Sequence, residues 1–75
     1  SEMFEYVLLT CAVFTLNGDT SNPCFGEKSS ERFPSYYSCR AAADRRVKEV
    51  LITMQQNFPQ AAPVATAVCG EETST

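Results

Sequence analysis

The four cysteines are the residues whose spacing constrains the chemistry of this 75-residue chain most: Cys11, Cys24, Cys39 and Cys69. Structural zinc sites draw their ligands from close pairs such as C-x-x-C, whereas the gaps here are 12, 14 and 29 residues and the chain has no histidine. An even number of well-separated cysteines in so short a chain is typical of a disulfide framework. We therefore predict two disulfides and no metal site, with free buried thiols in a cytosolic protein as the remaining alternative.

The lack of histidine also removes the commonest general base from the sequence. Ser/His/Asp and Cys/His catalysis are therefore excluded, and the three isolated glycines form no cofactor-binding loop. The carboxylates that could still transfer protons are Glu5, Asp19, Glu27, Glu31, Asp44 and Glu49. Each falls in a predicted turn, loop or solvated helix face, where an ordinary surface charge is the simpler interpretation. We predict no cofactor.

The size of the chain also favours disulfides. A domain of this size buries only about 60% of the surface that its unfolded chain exposes. Each disulfide stabilises such a domain by roughly 2 to 5 kcal/mol, which is comparable to the whole net stability expected of the domain. Disulfides persist in oxidising compartments, which predicts a secreted or periplasmic protein. The chain begins Ser-Glu-Met, and we expect that an export signal was cut away. This expectation has less support if the natural chain begins at Met3.

The net charge of −3 disfavours nucleic acid and anionic membranes as primary partners, since both require a basic face. The apolar stretch at residues 4–16 is too short to span a bilayer. One local basic cluster could contact an acidic partner: Arg40, Arg45, Arg46 and Lys48. Asp44 and Glu49 lie among these residues, so a solvated helix face is the simpler interpretation.

The elements that position these residues begin with a strand. Residues 4–16 are rich in aromatic and β-branched side chains, which predicts one continuous strand. Asn17-Gly18 then predicts a type I′ hairpin turn, followed by a weaker strand at about residues 19–25.

The register of this hairpin places Cys11 opposite Cys24 at a non-hydrogen-bonded pair, where side chains come closest. It also places Pro23 where the strand should break or bulge. Residues 26–34 carry the charges and turn formers of a solvated loop.

One long helix should follow this loop. Ser35 or Ser38 can cap it after Pro34, and Pro59 requires it to end one or two residues earlier. Apolar residues at three- and four-residue steps form one stripe along it: Tyr36, Cys39, Ala43, Val47, Val50, Leu51, Met54 and Phe58.

A third strand is predicted at residues 64–69. A helix of about 22 residues rises about 33 Å, and a returning strand of about eight residues retraces about 26 Å. The end of this strand therefore lies near the start of the helix, which favours Cys39 with Cys69 and leaves Cys11 with Cys24. The next alternative is Cys11 with Cys69 and Cys24 with Cys39.

The predicted fold is a small disulfide-stapled α+β domain with an N-terminal strand or hairpin, one long helix and a C-terminal strand. No internal repeat or second domain is recognisable in the sequence. We therefore predict a single domain over residues 1–75, with an ordered core at about 4–69 and a polar tail at 70–75.

The N-terminal strand is apolar on both faces, yet one helix can cover only one of them. We assign the uncovered face to Tyr6, Leu8, Phe14 and Leu16. We predict that this face is covered by a second copy of the chain, most simply in a dimer, or by a protein target. The alternative is that the loop at residues 19–33 shields it.

The placement of the cysteines in these elements resembles a broad set of small, uncharacterised, exported bacterial and phage proteins with four cysteines. The resemblance spans residues 7–70 and is carried by the segments Val-Leu-Leu-Thr-Cys, Tyr-Tyr-Ser-Cys and Val-Cys-Gly. It brings neither an activity nor functional residues.

We interpret the chain as a secreted or periplasmic protein that acts by non-covalent binding. One alternative is a small enzyme or enzyme subunit that uses carboxylates and tyrosines at an oligomer interface, and another is a structural, self-assembling component. A concave interfacial pocket holding carboxylates would favour the enzyme, whereas a flat apolar sheet face would favour binding or assembly.

Overall fold

The structure is a computed structural model that describes residues 2–72. Its elements, in chain order, are β1 (Phe4–Cys11), β2 (Phe14–Leu16), β3 (Asp19–Ser21), β4 (Cys24–Lys28), α1 (Tyr36–Asn57) and β5 (Val64–Glu71). β1 is the central strand of an antiparallel sheet of order β4-β1-β5, and β2 and β3 form a separate hairpin. The predicted α+β class is confirmed, with N-terminal strands, one helix and a C-terminal strand in the described part of the chain.

The prediction of one continuous strand over residues 4–16 is wrong, because two residues divide it. The backbone N–H of Ala12 donates to the carbonyl of Pro23, and that of Val13 donates to the carbonyl of Ala61. The chain therefore leaves the central sheet before β2 begins. Ala61 lies beyond the helix, so the local sequence contains no sign of this break.

The hairpin beyond the break has the predicted register. Leu16 lies opposite Asp19, and both turn residues, Asn17 and Gly18, have a positive φ. The predicted break at Pro23 is confirmed, since β3 ends and β4 begins on either side of it.

The loop predicted at residues 26–34 begins later than expected, because β4 continues to Lys28 along β1. Charged residues at the end of β4 made this segment look like a solvated loop. In the structure Lys28 pairs with Glu5 at 3.2 Å, on the neighbouring strand. A charge with a cross-strand partner is compatible with a strand.

The helix α1 begins and ends where the sequence predicts. The side chain of Ser35 accepts the backbone N–H of Ser38 at 3.0 Å, and the side chain of Ser38 accepts the backbone N–H of Ser35 at 3.2 Å. This reciprocal capping box satisfies two N–H groups that the first turn leaves without partners. At the other end, Phe58 donates its backbone N–H to the carbonyl of Met54, and Pro59 follows.

The core lies between the sheet and α1. Leu8 is 1% exposed, and Cys39 and Ala43 are fully buried beneath the helix. The ring of Tyr6 stacks on that of Phe33 at a centroid distance of 6.1 Å and closes one side of this cluster. The helix packs over β1 and β5, whereas β4 lies beyond its edge.

Both predicted disulfides are present, and they account for all four cysteines. The bond between Cys11 and Cys24 links β1 to β4, with the Cα atoms 4.0 Å apart. The bond between Cys39 and Cys69 links the first turn of α1 to β5, with the Cα atoms 6.2 Å apart.

The C-terminal strand is longer than predicted, since β5 continues through Gly70 to Glu71. Glu72 forms an ion pair with Arg32. The rest of the predicted polar tail, residues 73–75, lies outside the described residues. Within residues 2–72, no helix combines the length and apolarity that a membrane crossing requires.

Candidate binding surface

The sheet has one covered face and one uncovered face. Along β1, Tyr6 and Leu8 turn toward α1 and are buried, whereas Val7 and Leu9 turn away and are 51% and 45% exposed. The prediction that Tyr6 and Leu8 lie on the uncovered face is therefore wrong. Both faces of this strand carry apolar side chains, so the sequence pattern cannot show which face the helix covers.

The uncovered face continues on β5. In the register of the two strands Val7 lies opposite Val68 and Leu9 lies opposite Thr66, so these side chains share a face. Val64 and Val68 are 64% and 68% exposed. We call the apolar residues of this face the outer patch: Val7, Leu9, Val64 and Val68.

Two glycines leave the outer face without a side chain at their positions. Gly26 of β4 lies opposite Leu9, and Gly70 of β5 lies opposite Glu5. A side chain at either glycine would meet no atom within 4 Å, so the face is open at both positions. Another sheet face can therefore approach closely at these two positions.

The remaining residues of the predicted interface lie on the hairpin. The ring of Phe14 packs edge-on against that of Phe58 at 5.3 Å, and Leu16 is exposed beside the turn. The break after β1 separates both from Tyr6 and Leu8. The structure therefore does not bring the four predicted residues together on one surface.

The predicted basic cluster is divided by contacts within the chain. Arg40 donates to the carbonyl of Ala67 at 2.7 Å and to the carboxylate of Asp44 at 2.9 Å. Arg45 and Lys48 are exposed on the outside of α1. The four residues therefore do not form one continuous cationic surface.

Arg46 links α1 to the strand that the helix does not cover. Its guanidinium donates two hydrogen bonds of 2.8 Å to the carboxylate of Glu27 and lies 3.6 Å from that of Glu49. The hydrogen bonds from Arg46 hold the pKa of Glu27 below its usual value, because they stabilise the charged carboxylate. This bidentate pair is the clearest ionic link between the helix and β4.

We expect Glu27→Gln to lower the free energy of unfolding at neutral pH by up to about 1 kcal/mol, since the pair is half-exposed. A depressed pKa contributes stability that is present above the unfolded-state value of 4.5 and is lost as pH falls through the folded-state value. Urea unfolding should therefore separate the two proteins at neutral pH and bring them together in acid.

The matched control for this measurement is Asp44→Asn, which removes an exposed i,i+4 pair on α1. It should change the free energy of unfolding by only a few tenths of a kcal/mol. A difference between wild type and Glu27→Gln that stayed constant into acid would show that the charge of Glu27 does not contribute.

A small cleft beside Tyr6 also contains carboxylates. Its volume is about 190 Å³, and Glu31 and Glu49 contribute to its lining. Burial raises the pKa of the Tyr6 phenol. The cleft is smaller than the roughly 300 Å³ at which ligand pockets begin, so it favours the enzyme alternative only weakly.

A larger groove of about 340 Å³ lies between α1 and the inner face of β4. Leu8, Phe25, Val50 and Met54 line it. The groove exists because the helix does not extend over β4, which leaves Phe25 56% exposed. The sequence does not predict this groove. It predicts a loop at residues 26–34, and a loop would not form the sheet face that borders the groove.

Comparison of the chain with protein-family models, with curated proteins and with solved structures found no match. The resemblance to small exported proteins with four cysteines stays a prediction.

Proposed function

We propose that the protein is a disulfide-stabilised binding module of an oxidising compartment, secreted or periplasmic, that contacts a protein surface through its outer patch. One observation carries the proposal. Four apolar side chains on one face of the sheet are each between 45% and 68% exposed, although Tyr6 and Leu8 on the other face of β1 are buried.

The size of the outer patch supports a contact role. Four half-exposed aliphatic side chains amount to roughly 400 Å² of apolar surface, which is the size of the largest patch on a typical soluble monomer, and such patches are often functional. Removing that area from water is worth about 10 kcal/mol before the costs of association are subtracted. A surface of this size is therefore sufficient for a specific, moderate interaction.

The rigidity of the patch also favours binding. β1 is hydrogen-bonded to a strand on each side, and both neighbours are tied by disulfides: β4 to β1 directly, and β5 to the helix. A surface that is already ordered loses little conformational entropy when a partner covers it. An exposed aliphatic sheet face supports binding over catalysis.

The proposal is tested with an apolar fluorescent dye such as anilinonaphthalene sulfonate, added to native protein at about 1 µM, where a weak complex of the kind expected here is dissociated. We expect Val68→Glu to reduce the dye fluorescence severalfold, because a carboxylate interrupts the outer patch. Circular dichroism of each protein verifies that it is folded.

The matched control is Ile52→Glu. Ile52 is also β-branched and is 54% exposed, but it lies on the outside of α1. This variant should keep the dye signal of the wild type. Equal signals from wild type and Val68→Glu would show that the dye binds elsewhere, for example in the groove beside Phe25, and would contradict the proposal.

A further inference from the structure

We infer that the surface which covers the outer patch is the outer patch of a second copy of this chain, in a dimer whose two sheets stack face to face. This inference rests on the proposed function and names its partner. Three observations lead to it: the charges on the face, the state of the two sheet edges, and the area of the sheet face.

The outer face is electrically neutral, although the chain carries a net charge of −3. The strand register places two charged residues on this face, Glu5 and Lys28, and their side chains pair at 3.2 Å. Two copies that approach by this face therefore avoid the like-charge repulsion that they meet elsewhere. A strongly charged partner would find no counter-charge here, so a neutral, aliphatic surface fits best, and the outer patch itself is such a surface.

The edges of the sheet are less suited to a second copy than its face. The backbone N–H of Glu72 donates to the carbonyl of Met3. Because successive residues of a strand direct their backbone N–H and C=O groups to opposite sides, the even-numbered residues of β5 bond to β1 and the carbonyl of Ala67 points toward the open edge. Arg40 already donates to that carbonyl at 2.7 Å. An incoming strand would have to displace this contact. The edge strand β4 has only five residues and offers a short ladder.

Three strands side by side make the sheet face about 14 Å wide, and strands of up to eight residues make it about 26 Å long. Two such faces bury on the order of 1000 Å² together, near the lower limit for a specific interface. The dimer should therefore dissociate on dilution through the micromolar range. Sheets packed in this way lie about 10 Å apart, and the glycines of the face permit that approach.

The test is sedimentation equilibrium of the oxidised protein from about 1 to about 500 µM, the range in which such an interface should dissociate. The average mass should rise from 8.3 kDa toward twice that value. Val68→Glu should raise the half-dissociation concentration at least tenfold, whereas Ile52→Glu should leave it unchanged. If Val68→Glu does not fold, Thr66→Glu replaces an exposed polar residue of the same face and tests the same contact.

Amide chemical shifts recorded on dilution locate the contact. Shifts at Val7, Leu9 and Val68 support the face-to-face dimer, whereas shifts confined to Ala65 and Ala67 would show strand pairing at the edge of β5 and overturn it. A wild-type mass of 8.3 kDa at every concentration would also overturn it. If the outer patch still bound the dye, the proposed function would stand with a different protein as partner. Without dye binding, both would fail.

Discussion

Replacing Cys39 and Cys69 together by alanine is expected to cost roughly 3 to 5 kcal/mol of unfolding free energy. The bond spans 30 residues, for which the chain-entropy model gives about 3.5 kcal/mol. Cys39 is fully buried in a small core, so alanine also leaves a void. A chain of this length has a total stability of roughly 4 to 11 kcal/mol, and the thermal midpoint should fall by about 15 to 25 °C.

The matched control is the double replacement of Cys11 and Cys24 by alanine. This bond spans 13 residues, and the same model gives about 3 kcal/mol. It joins strands that hydrogen bonds already hold together, and Cys24 is exposed, so no void forms in the core. Calorimetry of both variants should show the larger loss for the bond to the helix. An equal or larger loss for the strand pair would contradict this ranking.

The two losses together are comparable to the whole expected stability of the chain. A fully reduced chain should therefore be largely unfolded under conditions in which the oxidised protein is folded. This dependence on oxidation is the physical basis for proposing a secreted or periplasmic location. It follows from the small core, in which six apolar residues are buried in the described part of the chain.

The boundaries of the helix and the disulfide pairing could be predicted because their determinants are local or simply geometric. Ser35 and Ser38 form the capping box that their spacing allows, and Pro59 ends the helix. The length of that helix fixes where the returning strand ends, and this brings Cys69 back to Cys39. The turn at Asn17-Gly18 has a similarly local cause.

The orientation of β1 could not be predicted in the same way. Leu8 and Leu9 are the same residue type, and the sequence places apolar residues on both faces of the strand, with Tyr6 beside Leu8 on one and Val7 beside Leu9 on the other. The pairing of β1 with β5 shows which face of β1 the helix covers. Tyr6 lies opposite Cys69, which must face α1 to reach Cys39, so the even-numbered residues of β1 are the covered set.

The arginine contacts depend on tertiary structure for a similar reason. Arg46 and Glu27 are 19 residues apart, and Arg40 and Ala67 are 27 apart. Neither pair belongs to one helix face or hairpin, so no local spacing rule identifies it. The basic residues of α1 therefore looked like one surface in the sequence, whereas the structure uses two of them to hold α1 to β4 and β5.

The largest single-residue effect is expected at Leu8. Leu8→Glu should prevent folding, whereas Leu9→Glu should leave the fold intact. The two leucines are neighbours on β1, but Leu8 is 1% exposed and Leu9 is 45% exposed. A carboxylate at position 8 would lie against Cys39 and Ala43. Burying an unpaired charge costs more than the roughly 4 to 11 kcal/mol that a domain of this size has available.

Arg46 borders the groove next to Leu8, but its guanidinium is already bound in a bidentate pair with Glu27. A new carboxylate at position 8 would have to break that pair to gain a partner, and Glu27 would then lose its own partner. Pairing with Arg46 would therefore offset little of the free energy lost by burying the charge.

Circular dichroism of both glutamate variants tests the expectation. The milder variants Leu8→Ala and Leu9→Ala can be compared by urea unfolding. Leu8→Ala should lower the free energy of unfolding by about 3 to 5 kcal/mol, and Leu9→Ala by less than about 1 kcal/mol. A folded Leu8→Glu beside an unfolded Leu9→Glu would exchange the two faces and move the contact surface from the outer patch to the face that holds Tyr6 and Leu8.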